Sequence, residues 1–171
     1  MERSGLITFQ GNPLTLVGNS VKLGEKAPDF TVLANDLSPR TLDSYKGKVL
    51  IISSVPSLDT SVCDTATRQF NKDAACLSDD IKILTISVDL PFAQARWCGA
   101  AGIDKVVTLS DHKDLSFGTN YGMAIKELRL LARGVFVVDR NQKLVYTELV
   151  NEVTDQVNFN AALEAAKKAL A

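Results

Sequence analysis

Apolar positions along the chain form short strand-like runs that alternate with helix-like stretches. Near the start, Leu6-Ile7-Thr8-Phe9 and Leu14-Thr15-Leu16-Val17 alternate with period two around Gln10-Gly11-Asn12-Pro13, whose Gly and Asn tolerate the positive φ of a tight turn. The pattern predicts an N-terminal β-hairpin over about residues 5–18. Gly24 to Asp29 reads as loop, Phe30-Thr31-Val32-Leu33 as a short strand and Asn35 to Pro39 as a turn. Val49 to Val55 is a nearly unbroken, β-branched apolar run, the mark of a central strand covered on both faces. From Thr60 onward the period changes. Cys63, Thr67, Phe70, Ala74 and Leu77 fall near one face at about 100° per residue, which predicts a helix with Cys63 in its first turn on the core side.

The alternation continues with a strand over Ile81 to Asp89, a short helix over Phe92 to Gly99, a strand over Val106 to Asp111 and a helical turn over Asp114 to Tyr121. Gly134 to Val138 and Leu144 to Val150 read as a second hairpin across Asp139 to Lys143. Asp155 to Ala171 is Ala-rich, with Phe159, Leu163, Ala166 and Leu170 at the spacing of an amphipathic last helix. Strands alternating with helices and closing on a hairpin imply an α/β fold with a central mixed sheet and helices on both faces. With 171 residues, 46% of them hydrophobic, the chain suits one domain over residues 1–171.

Charge narrows the partners. A net charge of −1 offers no basic field for nucleic acid and no acidic tail for a basic protein. No apolar run approaches the roughly 20 residues of a membrane span, and the N-terminus lacks a signal-peptide pattern, so no membrane association and a cytoplasmic location are expected. Cys63, Cys76 and Cys98 are odd in number and contain no Cys-x-x-Cys pair, and His112 is the only histidine. That excludes a tetrahedral zinc pattern and a structural disulfide framework, and makes any disulfide transient and catalytic.

Cys63 carries the chemical interest because it lies just past the end of the longest apolar strand, where α/β folds present functional groups. The unpaired N–H groups and partial positive charge of a helix N-terminus favour a thiolate. From placement alone, a buried structural cysteine is an equal reading. Thr60 is placed either to cap the helix or to reach the sulfur. Cys98 sits in the second helix beside Trp97 and, taken alone, reads as a buried cysteine. Arg133 precedes a strand, where a guanidinium can hold a thiolate and donate two hydrogen bonds; Arg68, five residues after Cys63, should point about 140° away around the helix. Cys76 is off the helix stripe, and His112, between Asp111 and Lys113, reads as a surface residue.

The block Val55-Pro56-Ser57-Leu58-Asp59-Thr60-Ser61-Val62-Cys63, with Arg68-Gln69-Phe70-Asn71 behind it, resembles the bacterial thiol peroxidases, an atypical two-cysteine branch of the peroxiredoxins. Phe9 to Pro13, Asp89 to Gln94 with Cys98-Gly99, and Leu131-Ala132-Arg133 extend the resemblance across almost the whole chain in family order. It implies a thioredoxin-like fold with an added hairpin, a homodimer, reduction of hydrogen peroxide and organic hydroperoxides, and recycling by thioredoxin. It also implies Cys63 as the peroxidatic cysteine, Cys98 as the resolving one that closes a Cys63–Cys98 disulfide, and Thr60, Pro56 and Arg133 as pocket residues. The sequence departs from the family pattern in the short stretch Gly122 to Leu130 and in Gly134, both beside the implied pocket.

The chemistry so implied needs no metal or organic cofactor. The thiolate attacks one peroxide oxygen, leaving a sulfenic acid on which Cys98 condenses, and the first turns of both helices are expected to unwind for the two to meet. A phosphatase-type loop does not fit, since arginine follows Cys63 at five residues rather than six with no intervening glycine. A catalytically silent thioredoxin-like binding domain is the reading from a different class.

Overall fold

The computed structural model describes residues 1–171. Strands β1 (Glu2–Phe9) and β2 (Asn12–Val17) pair antiparallel through a two-residue turn in which Gln10 and Gly11 have φ of 50° and 81°. Two consecutive left-handed residues give the turn whose twist matches a hairpin. The expected hairpin is present but starts earlier, and Asn12 is already in β2 while Gln10 takes the left-handed position. The hairpin belongs to a four-stranded sheet, ordered β1-β2-β8-β9, with β8 (Ala124–Ile125) and β9 (Leu130–Leu131).

The main sheet is seven-stranded. In order across it lie β11 (Leu144–Leu149), β10 (Gly134–Val138), β5 (Val49–Ser54), β6 (Ile81–Ser87), β7 (Val106–Ser110), β3 (Thr31–Leu33) and β4 (Pro39–Thr41). The three central strands β5, β6 and β7 run parallel, and the flanking ones antiparallel, so the sheet is mixed as expected. Every residue of β5 is buried, the consequence of a central strand with both faces covered.

Alternation along these strands divides the core in two. Leu50, Ile52, Leu84, Ile86 and Leu109 pack with residues of the hairpin and of helix α3 (Ser116–Asn120), where Phe117, Tyr121, Phe30 and Phe136 interlock at ring-centroid distances of 4.5–6.2 Å. Val49, Ile51, Ile83, Val135 and Val137 pack with Phe70 of α1 (Ser61–Ala74) and Ala162 and Ala166 of α4 (Phe159–Leu170). Helix α2 (Pro91–Ala101) lies along β7.

Several boundaries differ from the pattern-based expectation for local reasons. Helix α2 begins at Pro91, whose missing N–H costs nothing at a first helical position, and stops where Gly102 adopts φ 69°. Helix α1 ends at Ala74, so Leu77 lies beyond it and the exposed Cys76 sits in the following turn. The last helix starts at Phe159, not near Asp155, because the Asn158 side chain caps it by accepting from Ala161 N at 3.0 Å. The two-residue strands β8 and β9, and β4, had no counterpart in the expected elements.

Candidate active site

After β5 the chain turns through Val55 to Asp59 into α1, and Asp89 fixes this turn. Its carboxylate accepts from Ser57 Oγ at 2.7 Å, from Leu58 N at 2.8 Å and from Ser87 Oγ at 2.8 Å. Thr60 is the N-cap: extended at φ −81°, it accepts from Cys63 N at 3.2 Å and donates its hydroxyl to Ser57 O at 3.1 Å. Of the two roles open to Thr60, capping is the one its bonds perform. Cys63, in the first turn of α1, is fully buried against Val55 and Leu58, with Trp97 packed over the cluster.

Register brings the arginine to the sulfur. In the antiparallel pairing of β10 with β5, Gly134 lies opposite Ser54, so Arg133 enters at the level of Val55, where β5 leads toward α1. Ser54 Oγ donates to Ala132 O at 2.7 Å, and Val150 N to Arg133 O at 2.9 Å, which pins the main chain on both sides. The guanidinium is 2% exposed; Nε donates to Val153 O at 2.8 Å and Nη2 to Cys63 Sγ at 2.9 Å, while buried Nη1 has no partner. No carboxylate pairs with it. A buried cation is costly without an anion, and the only acidic group this one touches is the Cys63 thiol.

Thr60, Pro56 and Arg133 all line one cavity of about 260 Å³, walled mainly by Phe9, Val62, Ile125, Leu128, Leu130 and Val153. Thr60 and Arg133 are the two lining residues hydrogen-bonded to Cys63. The short Gly122 to Leu130 stretch forms β8 and the start of β9 and supplies much of the apolar wall. Gly134 is opposed by Glu148 O and Met123 Cε, so a Cβ there would come within 2.5 Å of the carbonyl.

Cys98 is not assembled with these groups. It is half-buried, its Sγ lies 3.3 Å from Thr108 Oγ1, and it borders a separate groove with Asn35, Arg40 and Ile103. All three cysteines are free thiols. Cys98 sits in the second half of α2 and not in its first turn. Arg68 points away as expected, pairing with Asp64 at 2.8 Å and lying 5.8 Å over the Trp97 ring. His112 is partly covered and donates no bond to the site. Neither Asp89 nor Val153 was among the expected site residues. Asp89 lay in a recognised block but its carboxylate's partners are spread over the fold, and Val153 acts through a main-chain carbonyl that leaves no side-chain signal.

A capped, fully covered thiol whose one charged neighbour is an arginine, set where a central strand leads into a helix, is an arrangement suited to thiol-dependent chemistry. Residues 22–164 match the Redoxin family. The chain is 63% identical to a thiol peroxidase of Halalkalibacterium halodurans over 96% of its own length and 98% of that protein's, and 62% identical to a thiol peroxidase of Bacillus subtilis over 94% and 96%. Among solved structures, a peroxiredoxin-like protein from Aquifex aeolicus superposes with a TM-score of 0.90 at 36% identity, covering 97% of this chain and 98% of that one. A thiol peroxidase from Chromobacterium violaceum shares the fold with a TM-score of 0.84 at 18% identity, over 96% of both chains. The chain belongs to the redoxin family and, within it, to the bacterial thiol peroxidases of the peroxiredoxin class, with a thioredoxin-like fold extended by the N-terminal hairpin. It is accordingly an enzyme of thiol-dependent peroxide reduction. No helix is long and apolar enough to cross a membrane.

Proposed function

We propose that Cys63 is the peroxidatic cysteine and Cys98 the resolving one, in a cycle that reduces hydrogen peroxide and organic hydroperoxides and is reset by thioredoxin. The observation that carries this reading is Arg133: one of its nitrogens is spent on Cys63 Sγ at 2.9 Å and another is buried without a partner at the same place. The Cys63 thiolate attacks the near peroxide oxygen, the O–O bond breaks, and the alkoxide leaves with its developing charge against Arg133 Nη1. A proton from solvent completes the alcohol or water. The product is a Cys63 sulfenic acid. Cys98 attacks that sulfur, the S–O bond breaks, and water departs as the disulfide forms; a dithiol reductant then exchanges through a mixed disulfide and restores both thiols.

The apolar cavity of about 260 Å³ supports organic hydroperoxides as substrates beside hydrogen peroxide, since its walls suit an alkyl group and its polar atoms gather at Arg133 and Thr60. Family membership supports thioredoxin as reductant, a homodimer, a cytoplasmic location and a single domain over residues 1–171. The test is to add one equivalent of hydrogen peroxide to the reduced protein and map its disulfides by peptide mass spectrometry, with Cys98→Ser in parallel. The expected result is a Cys63–Cys98 link in the wild type and a Cys63 sulfenic acid in the variant. Unreacted thiols would favour a catalytically silent domain, and a link through Cys76 would overturn the pairing.

A further inference from the structure

Helix α2 is poorly anchored for an element that carries a reactive cysteine. Only Pro91 and Gln94 among its residues are buried, both in its first half. Its second half is held by a few polar contacts. Trp97 Nε1 donates to Asp64 Oδ1 of α1 at 2.8 Å, while Arg68 holds the other oxygen of the same carboxylate at 2.8 Å and donates to Ala101 O at 3.4 Å. On the far side, Thr108 donates its single hydroxyl proton to Asn35 Oδ1 at 3.1 Å, which leaves Thr108 Oγ1, 3.3 Å from Cys98 Sγ, as the acceptor of the Cys98 S–H. Trp97 thus covers the Cys63 cluster and its neighbour Cys98 is tied to β7.

We infer that Trp97 and Thr108 are positioning residues for the second half of the reaction, two latches that hold α2 closed over Cys63 and set how fast Cys98 reaches the sulfenic acid. This inference rests on the assignment of Cys98 as the resolving cysteine. Two reactions compete for Cys63–SOH. In one, the Cys98 thiol displaces the hydroxyl, forming S–S and releasing water. In the other, a second hydroperoxide transfers an oxygen atom to the sulfur, giving the sulfinic acid and one more molecule of alcohol or water. Closed latches favour the second reaction when peroxide is in excess, because Trp97 must leave the cluster before the two sulfurs can approach bonding distance. The latches act only after the first oxygen transfer, since neither Trp97 nor Thr108 touches Arg133 or Cys63 through a polar atom.

The test compares the wild type with Trp97→Phe, which keeps a ring over Cys63 but lacks the N–H, with Thr108→Val, which keeps shape but lacks the hydroxyl, and with Thr108→Ser, which restores it. Reduced proteins are mixed with one equivalent of hydrogen peroxide, quenched in acid at intervals, and counted by mass as thiol, sulfenic acid and disulfide. A second series uses excess peroxide to count sulfinic acid. Disulfide formation should accelerate on the order of 10-fold in Trp97→Phe, the effect of one hydrogen bond of about 1.4 kcal/mol, and by a smaller factor in Thr108→Val, which loses the weaker S–H bond. Both should yield less sulfinic acid, sulfenic acid should form at an unchanged rate, and Thr108→Ser should match the wild type. Disulfide formation at or below the wild-type rate in both variants, with the sulfenic step intact, would overturn the latches while leaving the roles of the cysteines in place. Absence of a Cys63–Cys98 disulfide in the wild type would overturn those roles themselves, and the latches with them.

Discussion

The surroundings of Cys63 and Cys98 differ in nearly every property that governs a thiol. Cys63 is fully buried in the first turn of a 14-residue helix, with its amide capped by Thr60 and a guanidinium 2.9 Å from its sulfur. Cys98 is partly exposed in the second half of an 11-residue helix that buries little, and the one side chain hydrogen-bonded to its sulfur is the neutral hydroxyl of Thr108. Positive charge and fixed geometry suit a group that must attack as an anion. A neutral partner and a loosely held helix suit one that must stay out of the way and then travel. Under the proposed assignment the same residue type takes two jobs from its neighbours, which are separated in sequence from it by as many as 70 positions.

Replacing Arg133 by methionine makes the Cys63 site more like the Cys98 site, and this is the change with the largest expected effect. The rate of sulfenic acid formation with hydrogen peroxide should fall on the order of 10²–10³-fold, the usual loss when a preorganised donor to developing negative charge is removed. Stopped-flow measurement of the first turnover checks it. A loss below about 10-fold would mean that the helix N-terminus, worth about 1 kcal/mol in most settings, does most of the work and that the arginine is structural. Methionine fills comparable space, so a folded protein with a slow first step is the expected outcome.

How far this comparison was legible beforehand depends on range. The Cys63 turn was readable because its signals are local: an apolar run, a polar break with Thr60, then helical spacing. The central strands and the second hairpin were readable for the same reason, being covered on both faces or closed by a short turn. Strands β8 and β9 were not, since two residues carry no period and their pairing depends on the edge of β2. Arg133 could be proposed from its place before a strand and from family resemblance, but its distance to sulfur follows from the register of β10 on β5, which no window of sequence contains. The separation of Cys98 from the site was equally hidden, because it depends on Thr108 and Asn35 from two other segments.

Asp111 supplies a reference for a buried acid without a cation in contact. Asp111 is 1% exposed just after β7, and its carboxylate accepts from Phe117 N at 3.1 Å and Gly118 N at 2.8 Å in α3, yet burial outweighs these bonds and pushes its pKa up to about 6. The native state therefore holds this proton more tightly than the unfolded chain, whose value is 3.8. The stability this contributes is fully present below pH 3.8 and is lost as pH rises through about 6, a swing of about 3 kcal/mol at 1.36 kcal/mol per unit. Asp111→Asn removes the swing. Denaturant unfolding at pH 4 and pH 7 should show the stability difference, wild type minus variant, smaller at pH 7 by most of that amount. Exposed carboxylates titrate in both proteins and cancel. A difference independent of pH would mean that the amide bonds, and not burial, control this group.

The smallest expected effect separates the two ways Thr60 can serve Cys63. As an N-cap it accepts from Cys63 N, which steadies the turn that holds the sulfur against Arg133. Thr60→Ala should cost about 1 kcal/mol of stability and Thr60→Ser almost none, because serine retains the acceptor. If capping is the whole contribution, the peroxide rate follows stability: a loss of less than about 10-fold in the alanine variant, from fraying of the first turn, and near-complete recovery in the serine variant. If the hydroxyl instead turns to the peroxide during attack, the alanine variant loses far more rate than stability, because a donor to the departing oxygen acts only in the transition state. Thr60 lines the cavity beside Arg133, so both arrangements are within reach of the same side chain. Measuring the unfolding free energy and the first-turnover rate on the same three proteins decides between them, and tells whether the contrast between Cys63 and Cys98 comes from one charged neighbour or from two cooperating ones.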